Sequence, residues 1–173
     1  MESKYVEAPV YRLTWDEVMG ILKEIALEAK ADFDPDMVLG VARGGLIPAT
    51  ILACMLQVEL YPVALTRKVR GHVVRDRPVF LIPVPETVEG RRVLIVDEMV
   101  VSGETLLMAS GEARKRGARK VRTASLWATL DGWKPDWWGM ETAGWIMFPW
   151  DYEVISAGRF VINPLYEEYL QLL

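Results

Sequence analysis

The stretch VLIVDEMVVSGETL, residues 93–106, decides the fold. Val93, Leu94, Ile95 and Val96 form the continuous apolar run of a strand covered on both faces. Residues 97–103 then read as a turn, and a helix opens near Glu104, runs to about Arg116 and is ended by Gly117. Strand, turn and helix in this order make one half of a parallel α/β unit.

A second such unit lies upstream. After the turn DFDPD, residues 37–41 form an apolar run, Arg43-Gly44-Gly45 interrupts it, and LIPATILACML reads as a helix. Further strands are expected at 58–65, 79–84 and 121–128. The first helix is announced by a capping box, Thr14 with Glu17, followed by Val18, Ile21, Leu22 and Ile25 at helical spacing; it closes near Ala31. Residues 165–173 are expected to form a closing helix, and Cys54, among Ile51, Leu52 and Met55, a core residue. The expected class is α/β, a mainly parallel sheet flanked by helices, with 1–173 a single domain free of internal repeats and linkers.

Composition narrows the function. Of 173 residues 51% are hydrophobic and 25% charged, with net charge −4, which suits a globular domain with a real core. Without a run of ~18 apolar residues a membrane span is not expected. The acidic start MESKYVEAPVYRLTW does not read as a secretory signal, so the expected compartment is cytoplasmic. One Cys and one His exclude internal disulfides and Cys/His zinc scaffolds. No nucleic acid partner is expected from the acidic balance, and the cations of 114–122 read as a solvated helix end. The basic stretch 66–77, with Arg67, Lys68, Arg70, Arg75 and Arg77, is expected to be an exposed mobile loop able to meet a small anion; His72 within it reads as a loop histidine.

Two turns carry chemistry. In VARGGLIPA, residues 41–49, Gly44 and Gly45 permit close backbone approach and Arg43 offers a cationic fork, although RGG alone is equally a tight turn with a solvated Arg. The other turn is more specific. Asp97 and Glu98 follow a buried strand and can accept hydrogen bonds from a diol or hold a hydrated metal, while Ser102, Gly103, Glu104 and Thr105 open a helix with backbone N–H groups and hydroxyls for a phosphate. A ribose 5-phosphate satisfies both halves; a solvated acid pair beside a capped helix is the alternative. Six of the seven Trp residues lie between positions 127 and 150, as a binding hood, an interface or caps over a core.

These residues resemble a known family. Residues 93–106 are similar to the signature of type I phosphoribosyltransferases, VARGGLIPA to their pyrophosphate loop, and WIMFPWD (145–151) to the base-recognition segment of xanthine-guanine and archaeal purine members. The resemblance implies Mg2+-dependent transfer of the phosphoribosyl group from phosphoribosyl pyrophosphate (PRPP) to a nitrogenous base, most readily guanine, xanthine or hypoxanthine, in a homo-oligomer. It implies that Arg43, Gly44 and Gly45 hold pyrophosphate, in a loop that in this family often contains a non-proline cis bond. Asp97 and Glu98 would bind the ribose hydroxyls, Asp97 near the metal. Val101, Ser102, Gly103, Glu104 and Thr105 would cradle the 5-phosphate, and the basic flap would close over pyrophosphate. Trp145 would stack on the base, Ile146 offer it backbone groups and Asp151 approach an exocyclic group. The hood would comprise about 128–173 with the N-terminal segment.

Two positions depart from the purine pattern. Val101 stands where 6-oxopurine members carry an Asp that serves the base N7, and Thr129 aligns with a Lys that contacts their 6-oxo group. Valine cannot accept a proton, so a PRPP- or nucleotide-binding regulatory protein with little turnover is the alternative function. A dinucleotide enzyme is disfavoured because no G-x-G-x-x-G follows either strand.

Overall fold

The computed structural model describes residues 10–66, 68, 69, 72, 73 and 78–166. Its elements run β1 (Val10–Arg12), α1 (Trp15–Asp32), β2 (Met37–Val41), α2 (Leu46–Leu56), β3 (Glu59–Thr66), the short strands β4 (Lys68–Val69) and β5 (His72–Val73), and β6 (Val79–Ile82). A 3-10 turn (Glu86–Val88) leads to β7 (Arg92–Val100), α3 (Glu104–Lys115), β8 (Lys120–Thr129), β9 (Trp137–Thr142), β10 (Trp145–Met147), β11 (Glu153–Ser156) and β12 (Arg159–Ile162). Among the described residues the main sheet has the order β6-β3-β2-β7-β8-β9. Every neighbouring pair is parallel except β3 with β6.

Burial on both faces explains the unbroken apolar strands. Met37, Leu39, Val93 and Ile95 belong to the core beneath α3, while Val38, Leu94 and Val96 pack with α1 and α2. The capping box forms as expected: Glu17 N donates to Thr14 Oγ1 at 3.3 Å and Thr14 N to Glu17 Oε2 at 2.7 Å. Val18, Leu22, Ile25, Ala26 and Ala29 then line the buried stripe of α1.

Three local expectations change. Asp97 and Glu98 lie within a strand, not a turn, because β8 extends to Thr129 and supplies ladder partners as far as Val100, opposite Ala128. Cys54 is exposed. The buried face of α2 is Ala49, Leu52, Ala53 and Leu56, and Cys54 lies about 200° around the helix from Leu52, pointing away from the core. The Trp-rich segment contains two strands that its Gly and Asp content concealed: β9, at the sheet edge, and β10, which pairs in parallel with β1. Trp127 and Trp137 are core residues, whereas Trp138 is exposed.

The basic flap over 66–77 lies mostly outside the described residues, where the backbone pairing of β4 with β5 is its visible part. Of the closing helix over 165–173, residues up to 166 are helical and the remainder lies outside the described residues.

Candidate active site

The site forms where β2 ends against its parallel neighbour β7, just past the register pair Gly40 and Val96, while β7 runs on to Val100. At the end of β2 the Ala42–Arg43 peptide is cis. Arg43 is exposed, and Gly45 precedes α2 without a side-chain cap; the first helical N–H groups, of Leu46 and Ile47, donate back to the carbonyls of Arg43 and Gly44, each at 3.1 Å. Glycine is required in this loop by contact with β7. A Cβ on Gly45 would lie 2.6 Å from Val41 O and 2.8 Å from Asp97 Cα, and one on Gly44 would fall 1.8 Å from Glu98 Oε2.

The acid pair is therefore pressed against the glycine loop. Asp97 Oδ1 accepts the Glu98 N–H at 2.8 Å. Burial pushes the Asp97 carboxyl up to about 7, aided by the Glu98 charge and opposed by that N–H. Burial also raises Glu98, with Asp151 adding to the shift and the Trp150 N–H and Arg43 opposing it.

Beyond the acids, Gly103 adopts the left-handed region, φ 73°, and opens α3 without a side-chain cap. The ring of Trp133 covers it, 2.4 Å from where a Cβ would stand. A cleft of about 170 Å³ is lined by Asp97 and residues 99–106, and so holds Val101, Ser102, Gly103, Glu104 and Thr105 with the first member of the acid pair.

A larger cleft, about 530 Å³, is lined by Arg43, Gly44, Ile47 and Glu98 together with Trp150, Asp151, Glu153 and Asn163. Trp150 Nε1 donates to Glu98 Oε2 at 3.1 Å. Tyr166 OH donates to Asp151 at 2.9 Å, and Asn163 Nδ2 to Asp151 O at 2.9 Å. Burial raises the Asp151 carboxyl, and the Tyr166 hydroxyl opposes it. Three of the four residues expected at the base line neither cleft. Trp145 pairs with Val10 and Ile146 with Tyr11, Ile146 being buried. Thr129 ends β8, where its Cγ2 and the Val101 carbonyl both approach Gly132, and Lys134 Nζ donates to its carbonyl.

Sequence reading missed Trp150, Tyr166 and Trp133 as site residues. The P-W-D triplet before β11 was a usable signal for Trp150, because it sets an indole beside an acid already singled out. Nothing local marks Tyr166 or Trp133.

A model described as the phosphoribosyl transferase domain matches residues 12–156. The chain belongs to the phosphoribosyltransferase family. Among solved structures, the phosphoribosyltransferase is similar to the purine phosphoribosyltransferase of Pyrococcus horikoshii, at 33% identity over 85% of this chain and 98% of that one, with a TM-score of 0.73. Among curated relatives it is 27% identical to the xanthine-guanine phosphoribosyltransferase of Cereibacter sphaeroides, over 87% of this chain and 92% of that one. It also shares 32% identity over 92 residues with the transcriptional regulator GfcR of Thermoplasma acidophilum, a stretch spanning 43% of that protein.

Proposed function

We propose that this phosphoribosyltransferase transfers the phosphoribosyl group from PRPP to a purine base, releasing pyrophosphate. The observation that carries the reading is the contact between glycine loop and acid pair, with Gly45 against Asp97 and Gly44 against Glu98. It sets the glycine loop, with Arg43 at its head, against two carboxylates, of which Asp97 lines the cleft at the start of α3 and Glu98 the larger cleft. The purine follows from the WIMFPWD segment and from the relatives named for purine substrates.

In this reading residues 101–105 hold the 5-phosphate with backbone N–H groups, Asp97 and Glu98 accept hydrogen bonds from the ribose hydroxyls, and Arg43, Gly44 and Gly45 hold pyrophosphate. Carboxylates beside the ribose also stabilise the positive charge that develops on its C1 as pyrophosphate departs. Trp145, Ile146, Thr129 and Asp151 serve the base, with stacking and edge contacts.

Asp97 and Glu98 offer hard oxygen donors, and no group of three or more His, Cys, Asp or Glu among the described residues forms a metal cage. That donor set fits Mg2+, which commonly takes one or two carboxylates together with substrate phosphates and water. Asp97 would hold it, and the ion, when bound, neutralises charge on the departing pyrophosphate.

The reading includes a homo-oligomer, for which exposed Leu81, Ile155 and Phe160 offer apolar surface, and a cytoplasmic location. No helix among the described residues is long and apolar enough to cross a membrane.

Val101, 47% exposed where a general base would stand, favours a second reading, a PRPP- or nucleotide-binding regulatory protein. The deciding experiment measures pyrophosphate release from Mg2+ and PRPP across guanine, hypoxanthine, xanthine, adenine, orotate and uracil, with PRPP binding by calorimetry alongside. Turnover with a purine is expected. Binding without turnover on any base would establish the regulator, and turnover restricted to a pyrimidine would overturn the purine assignment.

A further inference from the structure

Trp150 bridges parts of the chain that are distant in sequence. Its indole reaches Glu98, 52 residues earlier, at 3.1 Å. Two aromatic neighbours fix the ring: Phe148 stacks on it at 4.7 Å with planes 9° apart, and Trp15, in the first turn of α1, lies at 5.7 Å and 49°. Phe148 is buried, so the stack is anchored in the core. On its other side the Glu98 carboxylate rests over Gly44, in the space that a Cβ would take. The acid is thus gripped between the glycine loop and an indole held in one orientation. Burial of a carboxylate is costly unless its oxygens are satisfied, and the Trp150 N–H is the side-chain donor that meets Glu98 in this cleft.

We infer that Trp150 is a positioning residue, whose indole N–H holds the Glu98 carboxylate against the Gly44 loop in the orientation that receives the ribose of PRPP. The segment named by sequence for base recognition thereby also sets the geometry of the PRPP half of the site. This rests on the functional reading above and deepens it.

The first test is Trp150→Phe, which keeps an aromatic ring to stack on Phe148 and Trp15 but removes the N–H. Calorimetry with Mg2+ and PRPP is expected to show affinity lowered about tenfold, the scale of one hydrogen bond to a charged group, while the KM for the base stays within about twofold of wild type. In a Glu98→Ala background the same substitution is expected to change PRPP affinity less than about twofold, because its effect passes through that carboxylate. Glu98→Asp, which withdraws the acid from the indole and leaves the aromatic stack intact, is expected to lose PRPP affinity to a similar degree, and it tests the inference even if Trp150→Phe does not fold. Wild-type affinity in either single variant, or an equal loss from Trp150→Phe with and without Glu98, would overturn the inference alone. A wild-type protein that binds no PRPP would overturn the functional reading and this inference together.

Discussion

The carboxylate of Glu98 occupies the space beside Gly44 that any side chain would fill, with Oε2 only 1.8 Å from the position of a Cβ there. The neighbouring Gly45 faces backbone instead, Val41 O at 2.6 Å and Asp97 Cα at 2.8 Å. The two glycines should therefore fail differently. In Gly44→Ala the flexible end of Glu98 swings aside, so stability is expected to fall by no more than about 1 kcal/mol while PRPP affinity drops at least about tenfold. In Gly45→Ala backbone must move, at a cost of about 1–3 kcal/mol. Chemical denaturation and PRPP calorimetry on both variants check the contrast; equal stability losses would count against it.

Gly103 carries a positive φ of 73° under the Trp133 ring. Gly103→Ala meets both the left-handed backbone penalty, about 1 kcal/mol, and a ring that must be displaced. Loss of roughly 2 kcal/mol is expected, together with weakened binding of a nucleoside 5-monophosphate, since the substitution sits at the start of α3. Thermal denaturation and monophosphate titration measure the two effects.

Asp36 ties the start of β2 to the start of β7. Its Oδ2 accepts Arg92 N at 2.7 Å and its Oδ1 accepts Arg92 Nη2 at 2.7 Å. The Arg92 hydrogen bond holds the Asp36 carboxyl down at about 2, from an ordinary 3.8. Because the folded value lies below the unfolded one, the stabilisation is complete above about pH 4 and disappears as pH falls toward 2. Asp36→Asn should cost about 1–2 kcal/mol at pH 7, after allowance for solvent screening of a part-exposed group. Urea denaturation of both proteins from pH 7 to 2 should show the difference narrowing only below about pH 4; a constant gap would refute the assignment.

Val101 is exposed in the cleft at the start of α3, its carbonyl beside the same Gly132 that Thr129 approaches. Val101→Asp places an acid where none stands. A general base is worth about 10²–10⁴ in rate, so turnover of hypoxanthine or guanine is expected to rise at least about tenfold. Steady-state kinetics with each base decide it. An unchanged kcat would mean that proton transfer from the base is not rate-determining.

Local sequence determined much of this protein. Thr14 and Glu17 marked the start of α1, the apolar runs 37–41 and 93–96 marked the central strands, and the glycines at 44, 45 and 103 marked the loops that open α2 and α3. These features are legible because capping, strand burial and glycine turns depend on residues within a few positions of one another. Other features were decided only by tertiary structure. Asp97 and Glu98 lie in a strand because β8 runs on to Thr129, and Cys54 is exposed because α2 turns its Ala49 and Leu52 face to the sheet. Glu98 meets Trp150, and Asp151 meets Tyr166, across chain separations that no local period encodes. Each of those contacts exists only once the sheet has brought its partners together, since a hydrogen bond between distant residues depends on packing and leaves no spacing in the sequence to read.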